Sequence, residues 1–189
     1  MLEKEIKILE IDVWDIVKKL ESFWAKKTFE GYIHDIYYDF PDQDKNKLEA
    51  NKRIFRVRKK WDIHMYTIKR KRDKKSEGWE KWLKVADEWE RIITDVESFT
   101  KVLEKYGMKA IREKKKYRIS YSLDGIEFDI DDYFYEDDRS LIPPLLEIEA
   151  PTKKEIKKWI KKLWLEKHKQ VDWGSKKLFK NYWVEYSWL

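Results

Sequence analysis

Charged residues fall two apart, like beside like, in one short segment after another. Glu3, Glu5 and Lys7 begin the series. Arg56 with Arg58, Thr67 with Lys69, and Glu88 with Glu90 continue it. Lys114, Lys116 and Arg118 follow, then Asp129 with Asp131, and Glu147 with Glu149. On a β-strand, residues i and i+2 share a face. The residues between them are mostly large and apolar: Ile6, Phe55, Val57, Ile68, Trp89, Tyr117, Ile119, Ile130 and Ile148. The chain is therefore built for a sheet with one apolar and one charged face. An antiparallel sheet ordinarily turns such a charged face to water. Two features oppose that reading. Asp and Glu are depleted in strands, yet carboxylate pairs recur here in four of them. The signs are also segregated by strand, whereas a surface made for solubility mixes them. A closed barrel is a second solution, in which the charged face would line a wet tunnel and the apolar face would pack under outer helices.

The periodicity predicts strands at 2–9, 32–40, 53–60, 63–71, 82–94, 114–122, 126–133 and 145–149. Helices are expected at 12–26, N-capped by Asp12, and at 95–106, capped by Asp95 and closed by Gly107. A third is expected at 152–168, opened by a Thr152/Glu155 capping box, and a short one from Ser175 to Trp183. The expected class is α+β with a mainly antiparallel sheet, folded as a barrel or a sandwich, residues 1–189 forming one domain. No repeat and no Gly/Ser- or Pro-rich linker divides the chain.

Charged residues make up 42% of the chain against about 25% in an ordinary soluble domain. Aromatics reach 16%, which excludes disorder as the main state. The balance of 43 basic against 37 acidic residues gives +6 and hints at an anionic partner. There is no cysteine, no apolar run near the ~20 residues needed to span a bilayer, and no signal-like h-region after Met1. A soluble, cytoplasmic protein without a membrane partner is expected. His34, His64 and His168 share no spacing and read as structural or surface residues. Clustered carboxylates without Cys select hard divalent cations such as Mg²⁺, Mn²⁺ or Ca²⁺. Clustered Lys and Arg select phosphate oxygens. Together they suit a polyphosphate.

At this point the sequence resembles the CYTH family, the triphosphate tunnel metalloenzymes. Glu3-Lys4-Glu5-Ile6-Lys7 has the family's opening ExExK form. Tyr38-Asp39-Phe40-Pro41-Asp42, Phe55-Arg56-Val57-Arg58, Thr67-Ile68-Lys69 and Glu88-Trp89-Glu90 follow in the family's order. Lys114-Lys115-Lys116-Tyr117, Asp129-Ile130-Asp131 and Leu146-Glu147-Ile148-Glu149 complete it. The resemblance covers residues 1 to about 165 and implies an α+β fold: an eight-stranded, antiparallel, closed β-barrel, a tunnel, with flanking helices. It gives Glu3, Glu5, Glu147 and Glu149 catalytic, metal-binding roles, with Asp131 as a further ligand and Glu88, Glu90 and Asp129 elsewhere in the tunnel. It assigns Lys7, Arg56, Arg58, Lys69, Lys114, Lys116 and Arg118 to the triphosphate. The sequence departs from the family pattern at Ala86, where many members have Arg, at Lys116 for Arg, and at Phe40 for Thr.

The implied activity is hydrolysis of tripolyphosphate, or of an organic triphosphate such as thiamine triphosphate, with Mg²⁺ or Mn²⁺. The alternatives are a class IV adenylyl cyclase and a non-catalytic polyphosphate- or RNA-binding module. Hydrolysis is favoured because no adenine-binding motif is visible. The basic run 69–75, followed by Trp79 and Trp82, is read as a solvated hairpin beside Glu77 and Glu80, not as a nucleic-acid site. The Lys-rich face of 153–169 reads as the wet side of a helix, and most of the 11 Trp as packing. The C-terminal Trp183–Leu189 is expected to dock either on the barrel or on a second subunit, as a homodimer.

Overall fold

The computed structural model describes residues 2–41, 48, 53–71, 84–134 and 140–184. Its elements are β1 (Leu2–Leu9), α1 (Val13–Ser22), β2 (Lys26–Asp39), β3 (Arg53–Lys60), β4 (Ile63–Lys71), β5 (Lys84–Ile93) and α2 (Val96–Lys105). Then come β6 (Lys109–Leu123), β7 (Ile126–Tyr133), β8 (Leu145–Glu149), α3 (Lys153–Lys162), β9 (Gln170–Val171) and α4 (Ser175–Asn181). The strands follow the order β5-β4-β3-β2-β6-β7-β8-β1, and β1 also pairs with β5, which closes an eight-stranded barrel. All of these pairings are antiparallel. Strand β1 makes the closure possible by dividing its length. Its residues 2–5 lie along β5, while residues 7–8 leave that edge to the added strand β9.

The alternating pattern sorts the two faces. Outward-facing Ile6, Ile8, Phe128, Ile130, Leu146 and Ile148 pack against Ile16 and Leu20 of α1 and Ile156, Trp159 and Ile160 of α3. A second apolar cluster joins Leu9, Tyr133 and Leu145 to Leu178 and Phe179 of α4. A third places Tyr38 and Val57 against Leu103 of α2, where Phe55, Tyr66 and Phe99 stack. The core thus lies between barrel wall and helices. Each fully buried apolar side chain there contributes about 1.5–3 kcal/mol.

Asp12 and Asp95 cap their helices through Asp15 N and Ser98 N, and Thr152 and Glu155 form the capping box. The helix ends differ from expectation. Helices α1 and α3 stop several residues early, at Ser22 and Lys162. In α1 the Trp24 N–H donates to Glu21 O and the Ala25 N–H to Leu20 O; in α3 the Trp164 and Leu165 N–H groups do the same to Lys161 O and Ile160 O. These are Schellman closures, which need a left-handed residue, normally Gly. Helix α2 uses Gly107 at φ 84°, whereas α1, α3 and α4 use Trp24, Trp164 and Trp183 at φ 63°, 59° and 59°. A tryptophan carries no sequence signal for such a stop. Those three indoles are 89%, 75% and 94% exposed, so the reading of most Trp as packing is corrected; Trp159 is the fully packed helix tryptophan. Trp89 and Ile68, placed on the apolar face, are also exposed.

Strands β2 and β6 begin earlier than expected, at Lys26 and Lys109. Their extra lengths pair with partner strands, an interaction that local alternation does not register. No helix among the described residues is long and apolar enough to cross a membrane. Residues 72–80, with most of the basic run and Trp79, lie outside the described residues, as do Trp82 and 185–189.

Trp159→Ala is expected to lower unfolding free energy by about 3–5 kcal/mol. Denaturant titration checks this; a loss below about 1 kcal/mol would mean the core does not lie under α3.

Candidate active site

The charged face turns inward. A cavity of about 310 Å³ lies inside the barrel and is lined by residues from all eight barrel strands. Strand β1 supplies Glu5 and Lys7, β3 supplies Arg56 and Arg58, β4 supplies Thr67 and Lys69, and β5 supplies Lys84, Glu88 and Glu90. From β6 come Arg112, Lys114, Lys116 and Arg118, from β7 Asp129, and from β8 Glu147 and Glu149. Adjacent antiparallel strands place opposed residues on one face, so register determines who meets whom. Glu5 lies opposite Glu149 on one side and Lys84 on the other, and Lys7 opposite Glu147.

Three ion-pair centres result. In the first, Glu5 accepts from Lys7 Nζ at 2.7 Å and Lys84 Nζ at 2.6 Å, and Lys7 Nζ also stands 2.7 Å from Glu147. Burial alone would raise the Glu5 carboxyl, but Lys7, Lys84 and Lys69 hold it below the usual carboxylate range. Glu147 behaves alike: burial is outweighed by Lys7, Arg118 and Lys116. Burial also opposes the Lys7 charge, yet Glu147 and Glu5 push its pKa up. For Lys84 burial wins against Glu5, with Lys7 and Lys69 adding repulsion, and its pKa falls to about 8.

The second centre is Asp35, which is 1% exposed. It accepts two hydrogen bonds from Arg58, from Nε at 2.6 Å and Nη2 at 3.0 Å, while Arg56 and Lys114 stand 3.8 Å away. Burial would raise its pKa, but Arg58 and Arg56 keep it well below the normal value. The third centre joins Arg118 to Asp131 at 2.5 and 2.6 Å, to Glu147 at 3.0 Å and to Asp129. Lys116 donates to Asp131 at 2.6 Å, yet burial and the neighbouring Arg118 push its pKa down to about 7.

Between these centres the pairing is looser. Arg56 Nη2 donates to Thr67 Oγ1 at 2.8 Å but reaches Glu88 and Glu90 only at 3.4 Å. Its Nε is buried with no hydrogen-bond partner among the described residues. Lys69 donates to Glu88 at 2.6 Å.

Of the residues singled out in the sequence, Glu5, Lys7, Arg56, Arg58, Lys69, Glu88, Glu90, Lys114, Lys116, Arg118, Asp129, Glu147 and Glu149 all line the cavity. Asp131 is fully buried and reaches it only through Lys116 and Arg118. Glu3 lies on β1 opposite Ala86, and its side chain is outside the described residues. Among the described residues no three His, Asp or Glu side chains stand close enough together to hold a metal ion by themselves. His34 pairs with Glu113 at 2.8 Å and His168 Nδ1 lies 3.3 Å from Leu9 O, so both hold structure outside the tunnel.

Sequence reasoning missed Asp35, which holds Arg58 from behind, and the lining residues Lys84, Arg112, Ser175 and Lys176, the last two at the start of α4. Asp35 carried a signal: a carboxylate on the same strand face as Ile33 and Tyr37 in an aromatic strand. Lys84 sits four residues before Glu88, on the same face.

Asp35→Asn leaves Arg58 buried without its counter-charge and is expected to cost about 3–5 kcal/mol. The native carboxyl has a depressed pKa, so its contribution is complete above the unfolded value of about 4 and is lost as pH falls below it. Chemical denaturation of both proteins should show a constant stability gap from about pH 5 to 7 that closes in acid. A gap that widened in acid would contradict this assignment.

With the geometry established, comparison with known proteins is informative. The CYTH domain profile matches residues 1–181. No functionally curated protein sequence matches the chain. The PH1012 protein of Pyrococcus horikoshii superposes with a TM-score of 0.65 at 24% identity, over 87% of this chain and 92% of that one. The PH1819 protein of the same organism gives 0.66 at 19%, over 95% and 99%. The adenylyl cyclase candidate HpAC1 from Hippeastrum, for which a dominant triphosphatase activity is described, gives 0.64 at 14%, over 95% of each chain. At these identities the likeness establishes the shared fold.

Proposed function

The chain belongs to the CYTH family, and from that premise we propose that it hydrolyses a small-molecule triphosphate inside the barrel, with a divalent cation as cofactor. The observation that carries this reading is the convergence of Arg56, Arg58, Lys69 and Lys114 with Glu5, Glu147 and Glu149 in one solvent-connected lumen.

A polyphosphate suits this lumen because the bases differ in how firmly they are held. Arg58 is locked in a two-point bond to Asp35, which fixes its guanidinium for phosphate oxygens entering from the other side. Arg56 has long contacts to Glu88 and Glu90 and an unused buried Nε donor. Charge-assisted bonds to phosphate replace such contacts favourably. Lys69 and Lys114 add point charges on either side.

The acids fit a hard divalent cation. Glu5 and Glu149 stand directly opposite one another on β1 and β8, so both carboxylates would face a cation placed between these strands. Glu147 follows two residues from Glu149, and Glu3 two residues from Glu5. Mg²⁺ characteristically takes one or two carboxylates plus substrate phosphates, not a full protein cage. The donor set is therefore consistent with Mg²⁺ or Mn²⁺ that would draw one or two of its ligands from Glu3, Glu5, Glu147 and Glu149 and the rest from substrate phosphates and water. When bound, such an ion supplies neutralisation of phosphate charge and lowers the pKa of a water. The chain's own bases hold the phosphates in line and stabilise charge on the departing group. Water adds to the terminal phosphorus, its anhydride bond breaks, and orthophosphate leaves the shortened chain.

Tripolyphosphate, thiamine triphosphate, ATP and triphosphorylated RNA, each assayed with Mg²⁺, Mn²⁺ or chelator, form the test. Metal-dependent phosphate release from at least one is expected; release from none, or cyclic AMP as the product from ATP, would overturn the reading. Glu149→Ala is expected to reduce release by at least about 100-fold with the fold retained. Arg56→Ala should act mainly on KM, by about 10–100-fold for lost charged hydrogen bonds. Unchanged kinetics in either variant would remove that residue from the site.

A further inference from the structure

The lumen is not the only place where cations and aromatic rings meet. On the outer face of the barrel, over β3, β2 and β6, lies a cleft of about 600 Å³ lined by Tyr32, His34, Lys59, Trp61, Lys115 and Phe134. Strand register explains its chemistry. His34 lies opposite Lys59 on β3 and opposite Lys115 on β6, so all three nitrogens project from one face. That face is the reverse of the one carrying Arg58, Asp35 and Lys114. Tyr32 lies two residues before His34 on the same face, opposite Tyr117.

The aromatic walls are anchored, not merely exposed. Trp61, at the β3–β4 turn, has φ 54°, a costly conformation for a bulky residue. Its Nε1 donates to Glu30 O at 3.2 Å and its ring packs on Phe29 at 4.8 Å. Gly31 makes room for it: a Cβ there would stand 3.1 Å from the indole nitrogen. Across the cleft Tyr32 meets Tyr117 and Phe134 edge-on at 5.2 and 5.4 Å. Even so, Tyr32 and Trp61 remain 63% and 55% exposed. Fixed aromatic surface left open to water marks a recognition site more than a packing site. Among the described residues, Lys59, Lys115 and His34 line it together with Asp62, and His34 also pairs with Glu113 at 2.8 Å.

We propose that this cleft binds a mononucleotide, its base on Trp61 and Tyr32 and its phosphate on Lys59 and Lys115. Stacking uses the π-face of any base, and the lysines supply the counter-charge. The volume lies within the range of small-ligand pockets, and one pair of walls holds one base, whereas single-stranded nucleic acid takes a succession of platforms.

AMP tests this, because it carries the base and a phosphate but no triphosphate. Calorimetric titration of the full chain is expected to show one AMP per chain. Ribose 5-phosphate should bind at least ten-fold more weakly. Lys59→Ala with Lys115→Ala, two side chains outside the core and the lumen, should weaken AMP at least ten-fold and leave phosphate release unchanged. Trp61→Ala should weaken it similarly, and Arg56→Ala should not affect it. No AMP binding at millimolar concentration, full binding by the double lysine variant, or loss of binding in Arg56→Ala would overturn the proposal. So would an oligonucleotide that binds ten-fold more tightly than AMP.

Discussion

Charge enclosed in a protein lumen is costly unless each group finds a partner, and the barrel's interior is organised around that constraint. Removing a charge from water costs several kcal/mol even after relaxation, and only well-placed counter-charges offset it. Asp35 illustrates the solution. Its carboxylate is almost wholly buried, yet Arg58 grips both oxygens and Arg56 and Lys114 stand behind it. Glu5 and Glu147 are held the same way around Lys7. Lys84 and Lys116 reveal the limit of the arrangement, for burial and neighbouring cations together pull their pKa values down to about 8 and 7. An anion entering the lumen would relieve that excess of closely spaced positive charge.

The same constraint determines where the apolar core must be. Because the inner face is charged, the strands bury their apolar side chains outward, and the helices are needed to cover them. Helices α1 and α3 cover β1, β7 and β8, and α2 covers β3 and β4, whereas α4 packs on Leu145 and Tyr133, which share the inner face with Glu147 and Asp131. The strip of β2, β3 and β6 around Tyr32 and Trp61 keeps its rings open, and that strip carries the second cleft.

Much of this was legible in the sequence because period-two alternation and helix caps are local. The like-charged pairs identified the inner face, and Asp12, Asp95 and the Thr152/Glu155 box marked helix starts to the residue. What escaped was set by tertiary context. Tryptophan at a left-handed C′ position has no local signature, so the sequence pattern does not mark where α1 and α3 end. Lys84 looked like one more lysine until strand closure placed it opposite Glu5. The β9 pair, Gln170–Val171, is too short to alternate and exists because the edge of β1 is free there.

In the proposed reaction the lumen exchanges internal ion pairs for a bound polyphosphate. A crystal structure with tripolyphosphate tests it most directly. The predicted result is a phosphate chain inside the barrel, hydrogen-bonded to Arg56, Arg58, Lys69 and Lys114, with the Asp35–Arg58 bond intact and Arg56 turned from Glu88 and Glu90. An unchanged lumen, with phosphate bound instead on the lysine-rich outer face of α3, would contradict the account.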